Sequence, residues 1–207
     1  MFTGIIKEVG TVSEIASKKD TRVLIIKTKK IHKNKKRGQS ISVNGVCLTI
    51  SNLTKNTISF DIMEETIKLT NLKNFKKGTK VNLESSIKIG EEIDGHIVQG
   101  HIDCTSKVIG KTKEGLRFEI PKNTSKYIAL KGSIAINGVS LTISHIEEDS
   151  FEVCLVKHTI ENTNLSKLRK GDLVNIEFDP LIKYLEKLLE NKEDETKYEF
   201  LKDRGFI

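Results

Sequence analysis

The chain has no tryptophan, two prolines, three cysteines and only 5% aromatic residues in 207 positions. Three cysteines (Cys47, Cys104 and Cys154) are too few, and odd in number, for a disulfide framework, so they read as thiols of a reducing compartment. No run approaches the roughly 20 apolar residues that a membrane-spanning helix requires. The opening MFTGIIKEVG lacks the basic lead and apolar stretch of a signal peptide. These absences predict a soluble, cytoplasmic protein that does not contact membranes. Arginine is scarce as well: of 35 basic residues, 30 are lysine. The densest basic run, KTKKIHKNKKR at 27–37, contains no aromatic residue. Nucleic-acid recognition leans on arginine forks and stacking rings, so the net charge of +7 is not read as a nucleic-acid signal. The run is a solvated loop whose positive field can still draw in small anions.

What the chain does have is itself twice. VNGVCLTI at 43–50 returns as INGVSLTI at 136–143, so Asn44-Gly45 and Asn137-Gly138 lie 93 residues apart. The same offset superimposes Thr66-Ile67 on Thr159-Ile160, Thr70-Asn71-Leu72 on Thr163-Asn164-Leu165, Gly78 on Gly171, and VNLE at 81–84 on VNIE at 174–177. Earlier in each copy TGIIKEVGTV at 3–12 matches QGHIDCTSKV at 99–108, setting Gly4 against Gly100 at an offset of 96. One unit has been duplicated. The copies run over about 1–96 and 97–180, followed by a tail over 181–207.

Each copy is a series of short segments rich in Val, Ile and Thr, broken by Gly, Asn and Lys, which predicts strands. Asn-Gly between two such segments predicts a two-residue hairpin, because both turn positions favour φ > 0. Short, closely spaced strands predict a small closed antiparallel barrel. DPLIKYLEKLLE at 179–190 predicts a helix, with Asp179 able to cap it and Pro180 in its first turn. Its stripe of Leu181, Ile182, Leu185, Leu188 and Leu189 must be buried against a barrel or against other copies of the chain.

Within the hairpins, alternate residues share a face. Val46, Leu48 and Ile50, and likewise Val139, Leu141 and Ile143, are expected to face the core. Cys47, Thr49 and Ser51, and Ser140, Thr142 and Ser144, then form two rows of small polar groups pointing outward. GHIVQGHID at 95–103 supplies His96 and His101. Five residues apart, they point to opposite faces of a continuous strand, and no thiolate or carboxylate stands at zinc spacing. They are therefore candidates for proton transfer or ligand contact rather than metal ligands. DIMEET at 61–66 corresponds to CLVKHT at 154–159, which taken alone reads as plain surface charge, the alternative being a polar rim at two related ligand sites.

Taken together, MFTGI, NGVCLT, GHIVQGHI, NGVSLT and VNIEFDP closely resemble the riboflavin synthase family of lumazine-binding repeat proteins, over essentially the whole chain and in order. The resemblance implies an all-β fold of two tandem six-stranded Greek-key barrels with a C-terminal α-helix that trimerises the subunits. It implies a dismutation of two 6,7-dimethyl-8-ribityllumazine molecules, one giving four carbons to the other, with no cofactor and no metal. Each barrel would bind one lumazine, and the active site would form between the N-terminal barrel of one subunit and the C-terminal barrel of a neighbour. Association with a lumazine synthase is left open.

Carried over by motif, the first site resembles Gly4, Ile5 and Ile6 together with Cys47, Leu48 and Thr49 and the stretch Asp61, Ile62, Met63, Glu64, Glu65 and Thr66. The second resembles Gly100, His101 and Ile102 with Lys131, with Ser140, Leu141 and Thr142, and with Cys154, Leu155, Val156, Lys157, His158 and Thr159. Among these, His101 is the leading proton-transfer residue. Ser40 and Cys47 fall where the family keeps polar groups near the reacting carbons, and Phe2 would pack over the site. Asp179 either positions a proton acceptor or caps the helix. Lys157-His158 departs from the Pro-Glu type of pair more usual in the family, and His158 retains a hydrogen-bonding group there. Two other readings are weighed against this one. A non-catalytic lumazine- or flavin-binding antenna protein of the same superfamily would usually have lost polar groups from one site, whereas this chain keeps Ser40, Cys47, Thr49, His101, Lys131, Ser140 and Thr142. An oligonucleotide-binding barrel would need the arginines and stacking aromatics that are missing.

Overall fold

The structure, a computed structural model, describes residues 1–18, 21–190 and 201–206. Strands β1 (Glu8–Lys18), β2 (Thr21–Lys27), β3 (Ser40–Val43), β4 (Val46–Leu53), β5 (Thr57–Met63) and β6 (Lys80–Ser85) close into one barrel in the order β1-β2-β5-β4-β3-β6. Strands β7 (Cys104–Lys111), β8 (Gly115–Glu119), β9 (Ser133–Ile136), β10 (Val139–Ile146), β11 (Ser150–Cys154) and β12 (Leu173–Phe178) close into a second with the equivalent neighbours. All pairings are antiparallel, and closure leaves no free sheet edge. Short helices α1 (Glu64–Leu69) and α2 (Lys157–Asn162) follow β5 and β11. The Asn-Gly turns are as the sequence predicts: Asn44 and Gly45 hold φ 46° and 85°, Asn137 and Gly138 hold φ 47° and 75°. Each barrel has its own apolar core, with Phe60, Ile41 and Leu83 among the residues of the first and Phe118, Phe151 and Phe178 among those of the second.

The barrels pack through a lattice of six buried asparagines related by the duplication. Asn44 Oδ1 accepts from Asn82 N at 2.8 Å and from Asn164 Nδ2 at 3.0 Å. Its counterpart Asn137 Oδ1 accepts from Asn175 N and Asn71 Nδ2, both at 2.9 Å. Asn82 Nδ2 donates to Asn137 O at 3.0 Å and Asn175 Nδ2 to Asn44 O at 2.8 Å. The two hairpins are thereby fixed to each other. Amides buried in this way stay favourable only while they remain bonded.

Helix α3 spans Pro180–Glu190, with Pro180 in its first position and Asp179 Oδ1 accepting from Leu181 N at 2.9 Å. Asp179 therefore caps the helix. Ile182 packs on the second core, whereas Leu181, Tyr184, Leu185 and Leu188 are 64%, 62%, 51% and 56% exposed. The stripe expected to find one partner is divided, and its larger part faces away from this chain. Of the tail expected after the helix, residues 191–200 and 207 lie outside the described residues.

Candidate active site

The outward rows are where the strand period places them. In β4, Val46, Leu48 and Ile50 are buried in the first core, while Cys47 is half-buried and Thr49 exposed. In β10, Val139, Leu141 and Ile143 are buried, while Ser140 is half-buried and Thr142 exposed. Ser40 stands opposite Thr49 in the β3–β4 register. At the end of β5, Asp61 and Met63 are exposed and Ile62 turns inward. Glu64, Glu65 and Thr66 open α1, and Glu64 Oε1 accepts from Arg22 Nε at 2.9 Å. In the second barrel Cys154 is exposed, with its thiol 3.6 Å from Glu114 Oε2, Leu155 is packed against the core and Val156 is exposed. Lys157, His158 and Thr159 begin α2, where Lys157 Nζ lies 4.0 Å from Glu161. Lys131 holds φ 66°, the conformation that Gly38 supplies in the first copy at φ 87°.

The family resemblance, carried over by motif, groups Gly4–Ile6 with Cys47 and Gly100–Ile102 with Ser140. In the structure these partners are exchanged. Ser140 N donates to Gly4 O, and Cys47 N donates to Gly100 O, each at 2.9 Å. Ile5 is half-buried, Ile6 joins the second core, and Ile102 packs against the first. Both glycines sit in the left-handed region, Gly4 at φ 77° and Gly100 at φ 84°, in contact with the partner strand. Phe2 is 2% exposed, pairs with Val98, and packs with Val98 and Ala135 beside Cys47. Each barrel's polar row is thus flanked by the lead-in segment of the other repeat.

Two carboxylates hold these crossing segments. Glu84 on β6 accepts from Thr3 N at 2.7 Å, Thr3 Oγ1 at 2.9 Å and Gly4 N at 3.1 Å. Glu177 on β12 accepts from Gln99 N at 2.5 Å, Gly100 N at 2.9 Å and His101 N at 3.1 Å. These two residues stand inside the VNLE and VNIE landmarks, yet nothing in the sequence reading assigned them a role.

Burial raises the pKa of both carboxyls. The Thr3 and Gly4 donors oppose it at Glu84, and the Gln99 and Gly100 donors oppose it at Glu177, without cancelling it. A carboxyl that binds its proton more readily in the folded state favours folding while both states are protonated, below the ordinary glutamate value of 4.5. That contribution is lost as pH climbs through the raised folded value. Thermal melts over this acid window are expected to show a stability component that falls with rising pH and is absent from the Glu84→Gln/Glu177→Gln double variant. Identical pH slopes for the two proteins would contradict the assignment.

The histidines also separate. His96 Nδ1 lies 2.7 Å from Ser140 Oγ, and its buried Nε2 has no hydrogen-bond partner among the described residues. Burial lowers the His96 pKa, against the nearby Asp179 charge that raises it, which favours the neutral ring. His101 is exposed on the segment that bonds Cys47. His96 thus attends the second polar row, and His101 follows the Gly100 carbonyl that accepts from Cys47 N in the first. Among the described residues no three His, Cys, Asp or Glu side chains are grouped to hold a metal ion. The His96–Ser140 contact was not foreseen, because the linker approaches β10 without being a continuous strand.

Comparison with known proteins agrees with this architecture. The family model described as the lumazine binding domain matches residues 3–86 and again 99–179. The riboflavin synthase of Bacillus subtilis (strain 168) is 40% identical, and that of Actinobacillus pleuropneumoniae is 39% identical, with each alignment covering 100% of both chains. Among solved structures, LumP complexed with 6,7-dimethyl-8-(1'-D-ribityl)lumazine matches with a TM-score of 0.78 and LumP complexed with riboflavin with 0.80. Both are 31% identical, covering 86% of this chain and 99% of the other. Two matched repeats and full-length relatives at this identity establish that the chain belongs to the lumazine-binding-domain family, in company with riboflavin synthases.

Proposed function

We propose that this chain is a riboflavin synthase: it joins two molecules of 6,7-dimethyl-8-ribityllumazine by four-carbon transfer, releasing riboflavin and 5-amino-6-(D-ribitylamino)uracil. The observation that carries the reading is the pair of outward polar rows, both retained, each flanked by a backbone segment of the other repeat. Two similar sites suit a reaction between two copies of one molecule, and Cys47 against Ser140 is one place where the copies differ, as unequal donor and acceptor roles require. The Cys47–Thr49 and Ser140–Thr142 rows would align the ring edges, and the starts of α1 and α2 would meet the ribityl hydroxyls. The acidic C7 methyl of one lumazine loses a proton into a delocalised anion, so groups that hold the ring also stabilise the charge. Holding two rings at reacting distance supplies much of the remaining acceleration.

His101, exposed on the segment that bonds Cys47 of the first row, is the proposed proton-transfer residue. His101→Ala is expected to lower turnover by roughly 10²–10⁴ in single-turnover assays while lumazine still binds; unchanged turnover would remove it from the mechanism. The exposed face of α3 supports a homotrimer, in which neighbouring subunits bring unlike barrels together. Leu185→Asp with Leu188→Asp is expected to yield monomers by sedimentation, with turnover lost. Three unpaired thiols fit a cytoplasmic setting. The activity is tested by incubating the protein with the lumazine alone, in a chelator. Riboflavin appearing as two lumazines vanish is the expected result. Bound lumazine with no turnover would instead support an antenna protein.

A further inference from the structure

The lysine run, set aside above as a solvated loop, is held in a built cleft. Glu8 accepts the backbone N–H of Lys29 at 2.5 Å, Lys30 at 2.9 Å and Ile31 at 2.8 Å. Ile31 is itself buried against the first core. Lys33 N and Lys35 N close turns on Lys30 O and His32 O. Facing this loop is the linker after β6, where Lys88 and Glu91 bond each other's backbone and Ile87 N donates to Met1 O. Between the walls lies a cleft of about 420 Å³, lined by Lys7, Lys30, Lys33, Lys35 and Lys88 from three separate segments. Among the described residues a single carboxylate, Glu91, lines it with them, and that carboxylate is already engaged by the Lys88 backbone and its ammonium at 3.7 Å. Ser85, Ser86 and Asn34 add neutral polar groups.

We infer that this cleft binds a small polyanion carrying two or more linked phosphate groups. Besides the Lys88–Glu91 pair, four lysines line the cleft, more charge than one phosphate can neutralise, and compact lysine charges suit phosphate oxygens without demanding a planar fork. Among the described residues no aromatic side chain lines the cleft, so the phosphates rather than a stacked base are the recognised part. The volume falls within the range of small-molecule sites. Partial burial lowers the Lys35 pKa and the Lys88 charge lowers it further, against Glu91; a bound anion would relieve this crowding of like charges. The far wall of the cleft is the linker that leads to Gly95 and His96, so the cleft lies beside the active site without being part of it.

Calorimetric titration of the full chain with inorganic tripolyphosphate tests the inference. One saturable site per chain is expected, with affinity falling at least about tenfold between about 0.05 M and 0.3 M salt. Lys33→Glu with Lys35→Glu is expected to weaken binding at least about tenfold, with an unchanged melting temperature as the check on folding. The control pair Lys76→Glu/Lys77→Glu, elsewhere on the first barrel, is expected to stay within about threefold of the parent. ATP is expected to bind within about threefold of tripolyphosphate, because both present the same phosphate chain. Absence of saturation, equal loss in the control pair, or binding of ATP without tripolyphosphate would overturn the inference. None of these readings depends on the chain being a synthase.

Discussion

Glu177→Ala is expected to cost about 3–5 kcal/mol of stability and to disable the lumazine site on the opposite barrel. Three backbone N–H groups, from Gln99, Gly100 and His101, converge on this one buried carboxylate. Removing it strands all three, and each buried donor left without a partner costs about 1–3 kcal/mol. Water entering beside the half-exposed linker recovers part of that, which sets the estimate below the sum and close to the cost of breaking a buried ionic contact. The functional effect appears at a distance from the change. Glu177 lies on β12 of the second barrel, but the segment it holds places Gly100 O against Cys47 N of the first. Glu84→Ala is expected to mirror this, releasing Thr3 and Gly4 and so disturbing Ser140. Urea unfolding gives the stability change, and lumazine binding followed by ring absorbance gives the functional one. Glu177→Gln keeps one acceptor oxygen and should fall between Ala and the parent. A Glu177→Ala protein with parental stability and both sites intact would show that the crossing segment needs no anchor.

The second large effect belongs to the glycines the carboxylates position. A Cβ at Gly100 would lie 2.6 Å from Cys47 Cβ and 3.0 Å from Cys47 N. At Gly4 it would lie 2.6 Å from both Ser140 Cβ and Ser140 N. These neighbours are backbone or backbone-proximal atoms that cannot swing aside, and both positions hold positive φ, which adds roughly 1–2 kcal/mol for any L side chain. The segment must therefore withdraw from the strand, breaking the bond to Cys47 N or Ser140 N. Gly100→Ala is expected to remove lumazine binding at the first barrel and spare the second, and Gly4→Ala to do the reverse. Because the reaction needs both rings, each variant should lose turnover by at least about 10²-fold, a misplacement of about 1 Å being enough for that. Lumazine titration of each variant should find half the parental capacity. If Gly100→Ala instead emptied the second barrel, the exchange of segments described above would be wrong.

Much of this could be read from the letters alone. Alternation in VCLTIS and VSLTIS placed Leu48 and Leu141 inside and Thr49 and Thr142 outside, because period two is obligatory in a strand. Asn44-Gly45 and Asn137-Gly138 gave their turns for an equally local reason. The exchange of Gly4 and Gly100 is different in kind. A repeat shows which strand a segment precedes, and says nothing about which of two adjacent barrels that segment lies along. Glu84 and Glu177 were illegible for a related reason. In β6 and β12 the outward positions Asn82, Glu84, Asn175 and Glu177 are buried like their inward neighbours, because the other half of the molecule covers them. A glutamate on an outward face reads as surface until that covering is known. The lysine cleft combines both difficulties: the run itself is visible, but its grouping with Lys7 and Lys88 is a matter of tertiary placement.

The most direct test is a crystal structure of the assembled protein soaked with an unreactive lumazine analogue. Two analogue molecules per chain are predicted, one against Cys47–Thr49 and Gly100, the other against Ser140–Thr142 and Gly4, with rings from unlike barrels of neighbouring subunits stacked face to face. A single ring per chain, with the other row occupied by the protein's own side chains, would contradict the account.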